Sequence, residues 1–291
     1  MKTALTGLCA AIAVLAFLAV LLLPAGCGAA AFPSDKNTGK KPLAKGKTMT
    51  NTLADAAIDL DNISSFAFTN VSIVKKPVKG VVISFHGLGY NGMIGEQNDY
   101  SRSMAEKGIV YIFPYYGPWS WMNRSGVRFT DAVVEAVFKG FSLPKNTPIV
   151  STGGSMGGLS ALVYPVYARR TPVAVAADSP VCDLVYHFGE RPDLPRTLVA
   201  AFADYDCSLD EALRSASPID LVKKMPKIRY YIVHGDKDAA VNKKAHPDRL
   251  VPEMKRAGLD VTYVEVPGME HCNMGDAAEG YYSFIEANIL K

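Results

Sequence analysis

The run Gly80-Val81-Val82-Ile83-Ser84-Phe85 is apolar at nearly every position, so whatever it forms must be covered on both faces. A half-exposed strand would alternate apolar and polar residues; a short continuous run reads as a central parallel strand. Similar runs recur at 109–113, stopped by Pro114, and at 148–152, 173–177, 228–233 and 261–266, with 71–74 as an early strand. Between them lie helical patterns at 98–107, 129–141, 156–169 (which Pro165 should kink), 243–256 and 277–290. Residues 180–225 are irregular, with helical pieces such as 209–214, and read as a small cap. Strands separated by helices imply an α/β fold, a mostly parallel sheet with helices on both faces. Ligand sites of such sheets form beyond the carboxyl ends of the strands, so the residues after each strand carry the functional question.

Ahead of this pattern stands an apolar run, 8–23, behind Met1 and Lys2. It is shorter than the roughly 20 residues that span a bilayer and suits a secretory signal. Leu23-Pro24-Ala25-Gly26-Cys27 resembles a bacterial lipobox, with Pro24 a departure, and would lipidate Cys27 for membrane attachment. Ala29-Ala30-Ala31 offers ordinary cleavage instead, and both exits stay open. The expected boundaries are a signal over 1–31, a tether over 32–56 and a catalytic domain over 57–291. Export would place the protein in the periplasm, on the cell surface or outside the cell. The tether carries Lys36, Lys40, Lys41, Lys45 and Lys47 and almost no aliphatic residues, too little apolar area to offset ordering. In an oxidising compartment Cys182 and Cys207 would form a local disulfide or stay as free thiols. A net charge of +3 without a basic, aromatic-interleaved stripe excludes nucleic acid as a partner, and no Cys or His spacing suggests a metal.

After the strand at 148–152 comes Gly153-Gly154-Ser155-Met156-Gly157-Gly158 and then a helix. This is G-x-S-x-G in the strand–turn–helix setting that exposes a serine hydroxyl at a helix N-terminus, where developing negative charge is stabilised. Serine needs a base. Of five histidines, His86 and His234 end strands, and His187 and His246 lie in irregular or polar stretches. His271 follows the last strand on the loop Pro267-Gly268-Met269-Glu270, placed to reach over Ser155. A carboxylate must orient it. His234-Gly235-Asp236-Lys237-Asp238 supplies Asp238 at the loop tip, with Asp236 the alternative. The oxyanion donors are expected to be the amides of Met156 and Leu88, with Gly89 or the Tyr90 hydroxyl as alternatives to Leu88.

These segments, His86-Gly87-Leu88-Gly89, Gly153 to Gly157, His234 to Asp238 and Gly268 to His271, resemble the α/β-hydrolase superfamily. They are most similar to the esterases and peptidases around the prolyl oligopeptidase catalytic domain, and Ser217-Pro218 fits that group. The resemblance covers roughly 66–291 and implies acyl transfer to water with no cofactor. Only a leader and tether precede the catalytic part where the peptidases carry a propeller, which favours a small exported esterase. Tyr90, Trp119 and Trp121 are the expected substrate contacts, the tryptophans within an aromatic loop at 115–121 suited to a sugar or aromatic acyl group. Arg124, Arg128 and Arg191 are candidates for meeting an acidic substrate. The expected function is hydrolysis of small or carbohydrate carboxylic esters. Its rivals are a serine peptidase, and a non-catalytic surface binding protein, which should have lost a member of the triad.

Overall fold

A computed structural model describes residues 58–290; the leader, the tether, Cys27 and Ala57 lie outside the described residues. The strands are β1 (Ala67–Thr69), β2 (Gly80–Phe85), β3 (Ile109–Pro114), β4 (Ile149–Gly154), β5 (Ala174–Asp178), β6 (Arg229–Gly235) and β7 (Asp260–Val266). They form one sheet in the order β1-β3-β2-β4-β5-β6-β7, with β1 antiparallel at the edge and all other pairs parallel. The helices are α1 (Asp99–Glu106), α2 (Arg124–Gly140), α3 (Met156–Tyr167), α4 (Leu184–His187), α5 (Leu194–Ala201), α6 (Leu209–Arg214), α7 (Pro218–Leu221), α8 (Pro247–Arg256) and α9 (Ala278–Ala287). Among the described residues, no helix is long and apolar enough to cross a membrane.

Register aligns the carboxyl ends of the central strands. Phe85 pairs with Gly153, Gly154 with Asp178, Asp178 with Val233, and Gly235 with Val266. The loops leaving β2, β4, β5, β6 and β7 therefore converge on one edge of the sheet. Residues 81–83 and 174–177 are fully buried, as continuously apolar strands require.

Three boundaries differ from the sequence expectation, each for a local reason. The early strand lies at 67–69 and not 71–74, because the chain turns at Asn70. That fully buried side chain donates to the carbonyls of Ser101 and Ile109 and accepts from the amide of Tyr111, substituting for a strand partner. Helix α2 begins five residues earlier than its apolar pattern, at a cap where the Asn123 side chain accepts from the Gly126 amide. Helix α8 starts only at Pro247, which occupies the first helical position, where its missing N–H costs nothing.

Pro165 sits in the last turn of α3 and the helix ends two residues later. Proline cannot donate to the carbonyl four residues back. That carbonyl, on Ala161, accepts instead from the Ser151 hydroxyl of β4 at 2.9 Å, which fastens the helix to the sheet. At the other end α3 lies against β2 so closely that a Cβ on Gly157 would stand 2.1 Å from the Phe85 carbonyl oxygen. Substituting Gly157→Ala should therefore destabilise the fold by about 3 kcal/mol or more, visible as loss of soluble protein or a large drop in Tm by circular dichroism.

Candidate active site

Ser155 occupies the turn between β4 and α3 with φ 59° and ψ −123°. Positive φ is costly for a residue with a side chain and persists only where the surroundings enforce it. Here they do. The Ser155 amide donates to the Asp178 carbonyl at 2.9 Å, and the glycines at 153 and 157 allow β2 and α3 to close on the turn. The Ser155 side chain makes no helix-capping bond, so its hydroxyl is left facing a cavity of about 630 Å³. Leu88, Gly89, Trp119, Arg191, Arg196 and His271 are among the residues lining that cavity.

His271 Nδ1 lies 2.7 Å from Asp238 Oδ2. The other carboxylate oxygen, Oδ1, accepts from the amides of Ala240 and Val241, both at 2.9 Å. His234 Nε2 also reaches Oδ2, at 3.1 Å, from a fully buried position. Burial alone would raise the Asp238 pKa. The bonds from His234, from His271 and from the Val241 amide outweigh it and hold the carboxyl well below its ordinary range. Asp238 is thus a fixed anion beneath the imidazole. Asp236, the alternative acid, accepts instead from the Gly268 amide and braces the loop that carries His271.

Of the expected oxyanion donors, Leu88 lines the cavity, and its amide has no acceptor among the described residues. Met156 opens α3, where N–H groups lack intrahelical acceptors. Tyr90 stands apart: its ring packs on His86 and Phe113, and it is not among the residues lining the cavity. Trp119 lines the cavity and is 37% exposed. Trp121 does not; it is 1% exposed, and its Nε1 donates to Thr197 Oγ1 at 3.1 Å. The expectation of a substrate contact at Trp121 is therefore corrected: the ring is core, tying the aromatic loop to α5. Arg124 contacts Asp204, and Arg128 lies outside the Ser155 cavity, leaving Arg191 as the expected arginine found there.

Two groups near the imidazole were not singled out from sequence. Asp178, at the end of β5, is buried and accepts from the Ser179 hydroxyl at 3.0 Å. Burial raises its pKa, against the Ser179 bond and the nearby charges of His271 and His234. Cys272 follows His271 at φ 54°, with its amide on Ser179 Oγ at 3.1 Å. Burial and the charges of Asp178 and Asp238 push its thiol up to about 12, so it stays neutral. Neither signal was visible without the neighbours that the fold supplies.

Cys182 and Cys207 are free, the first buried and the second exposed, so the local disulfide is not formed. One group of metal-ligand type gathers among the described residues: His187 Nδ1 and His246 Nε2 lie 2.6 and 2.9 Å from the same Glu190 oxygen, Oε2. His246 Nδ1 accepts from the amides of Cys182 and Asp183, so its proton sits on Nε2 and points at Glu190. A metal at Nε2 would force that proton to Nδ1, against two N–H groups. The cluster is a hydrogen-bonded tie between the cap and the approach to α8.

No protein-family model matches the chain, and no curated protein matches it. Solved structures do. A puromycin-hydrolysing peptidase of Mycobacterium tuberculosis superposes with a TM-score of 0.59 at 16% identity, over 72% of this chain and 35% of its own. Esterase B from Lactobacillus Rhamnosis gives 0.57 at 15%, over 74% and 76%. Dipeptidyl peptidase 4 from Porphyromonas gingivalis gives 0.58 at 15%, over 72% and 31%. The chain has the α/β-hydrolase fold. It spans about a third of the peptidase chains and about three quarters of the esterase.

The two acids beside the imidazole should respond to pH in opposite ways. Asp238, held low, stabilises the fold above the unfolded carboxyl range, and that contribution fades as pH falls through its native pKa. Asp178, held high, costs stability above its native pKa and nothing below the unfolded one. Asp178→Asn should therefore raise Tm at pH 7–8 by about 2–4 °C, as 1 kcal/mol does in a domain of this size. The gain should vanish near pH 4, and Asp238→Asn should shift Tm downward at pH 7; thermal melts across pH check both signs.

Proposed function

We propose that this chain is a serine hydrolase of carboxylic esters. One observation carries the reading: Ser155, held at positive φ with an uncapped hydroxyl, shares its cavity with an imidazole whose far nitrogen rests on a fixed carboxylate. In the proposed reaction His271 takes the Ser155 proton through Nε2 as the oxygen attacks the ester carbonyl. Asp238 stays ionised and favours the imidazolium that results. The Leu88 and Met156 amides receive the oxyanion, each worth on the order of 3 kcal/mol of transition-state stabilisation. The alcohol departs with the proton from His271, leaving an acyl-serine. Water then attacks, deprotonated by the same imidazole, and the acid is released. No step calls for a cofactor.

The peptidase reading draws support from the fold neighbours, several of which are peptidases. Recognition of a free peptide amino terminus would require an uncommitted acid at the cavity. The charged side chains lining it, apart from His271, are Arg191, Asp193 and Arg196. Arg191 holds both oxygens of Asp193, from Nε at 3.1 Å and Nη2 at 2.8 Å. The cavity is left with a net positive character that repels an ammonium group, which argues against peptides held by a free amino terminus. Small and carbohydrate esters remain the substrate class of this reading. The N-terminal leader supports an exported protein, with Cys27 the residue that would carry a lipid.

The first test is hydrolysis of p-nitrophenyl acetate and butyrate beside that of aminoacyl p-nitroanilides. Ester turnover should dominate, with Ser155→Ala lowering kcat by about 10⁶-fold and Asp238→Asn by about 10⁴-fold. Anilide turnover exceeding ester turnover would install the peptidase reading. Absence of both in folded protein would remove the enzyme reading altogether.

A further inference from the structure

Beyond Trp119 lies a second cavity, of about 430 Å³. Tyr115, Tyr116, Trp119 and Phe129 are among the residues lining it, with Arg128 its one charged residue, and α5 presents only Ala200 and Ala201 to it. Trp119 lines this cavity and the one that holds Ser155, so a single indole stands between the two. The volume falls within the range of small-molecule pockets.

The cavity is held open by its frame. Trp121 and Met122 both stand at φ 47°, an uncommon conformation for bulky residues, and both side chains are buried. Trp121 is pinned to Thr197 of α5, and the Asn123 side chain donates to the Ala201 carbonyl at 2.5 Å. The Pro118 carbonyl accepts from the Gly89 amide at 2.9 Å, which joins the aromatic loop to the loop carrying Leu88. Loop and helix are thus fixed to each other and to the expected oxyanion loop. Small side chains on α5 leave the space unfilled, although a longer side chain at position 200 would fill it. Arg196 lies over the Trp119 ring, 5.7 Å from its centroid, and has no ion-pair partner among the described residues; it lines the Ser155 cavity and not the second one, so the cation covers the indole from the catalytic side.

We infer that the second cavity receives an aromatic ring of the substrate, carried on the ester bound at Ser155, with Trp119 as the ring's stacking surface and the divider between reacting and recognising compartments. Four aromatic walls offer a flat ring the offset and edge-on contacts that rings prefer over simple apolar burial. An aliphatic tail would gain burial alone. This rests on the ester-hydrolase reading and narrows it to esters in which a short linker separates the carbonyl from an arene.

Two matched pairs test it: methyl 4-phenylbutanoate against methyl hexanoate, and 3-phenylpropyl acetate against hexyl acetate. The first pair places the ring on the acyl side, the second on the alcohol side. In at least one pair the arene ester should be favoured by about tenfold or more in kcat/KM, the discrimination a hydrophobic pocket supplies. Ala200→Phe, which fills the cavity from a solvent-facing position on α5, should reduce that ratio to about twofold or less. Equal rates within both pairs, or a preference that survives Ala200→Phe, would overturn the inference. Binding separates this outcome from failure of the ester reading. The sequence has two tryptophans and Trp121 is buried, so the exposed emission of Ser155→Ala protein reports Trp119. A saturable blue shift of that emission with 4-phenylbutanoate or 3-phenylpropan-1-ol, as the ring displaces water from the indole, but not with hexanoate or hexan-1-ol, supports the cavity even where no ester is turned over. Absence of such a shift rejects it whatever the enzyme hydrolyses.

Discussion

Everything at the candidate site depends on how closely α3 approaches β2. The helix begins where a Cβ at position 157 would overlap the Phe85 carbonyl, and a Cβ at 153 would stand 2.6 Å from both that oxygen and the Gly157 carbonyl oxygen. Only with both positions bare can the chain leave β4, turn at Ser155 and re-enter as a helix within a single residue. The positive φ of Ser155 follows from this closeness and lifts its hydroxyl clear of the sheet. The same approach brings the first turn of α3 beside the loop after β2, which carries Leu88.

The electrostatics follow from which neighbours each carboxylate has. Asp178 ends β5 and Asp238 lies on the loop after the adjacent β6, and burial alone would push both upward. Asp238 is surrounded by donors: two histidines and two amides. Asp178 has one side-chain donor, the Ser179 hydroxyl, and shifts the other way. The imidazole therefore sits near one committed anion and one reluctant one. Cys272 feels both charges and is held neutral.

The central sheet and the positions of Ser155, Asp238 and His271 were legible because their signals are local. Continuous apolar runs mark buried parallel strands, and glycines flank a turn that only glycine tolerates. The early strand was displaced because Asn70 acts through bonds to residues 31 to 41 positions away, which no window of sequence contains. Trp121 was misassigned for a related reason. Composition placed two tryptophans on one loop, but the left-handed backbone at 121 and 122 sends the first toward solvent and the second into the core. The burial of Asp178 was likewise beyond reach, since its neighbours come from the ends of three different strands.

That division between Trp119 and Trp121 sets the aromatic loop apart from the groups that the sheet carries. The proposed reacting groups rise from the sheet on loops whose geometry is dictated by backbone contact and buried hydrogen bonds, and they have little room to vary. The surfaces a substrate would meet first belong to the aromatic loop and to α5, joined through Trp121, Thr197, Asn123 and Ala201. Substitutions on the outer faces of those two elements change the shape and charge of the approach without moving Ser155. Substitutions at Trp121 or Asn123 would loosen the frame and blur both compartments together. Trp121 lines neither cavity, yet by joining the aromatic loop to α5 it determines where Trp119, which lines both, stands.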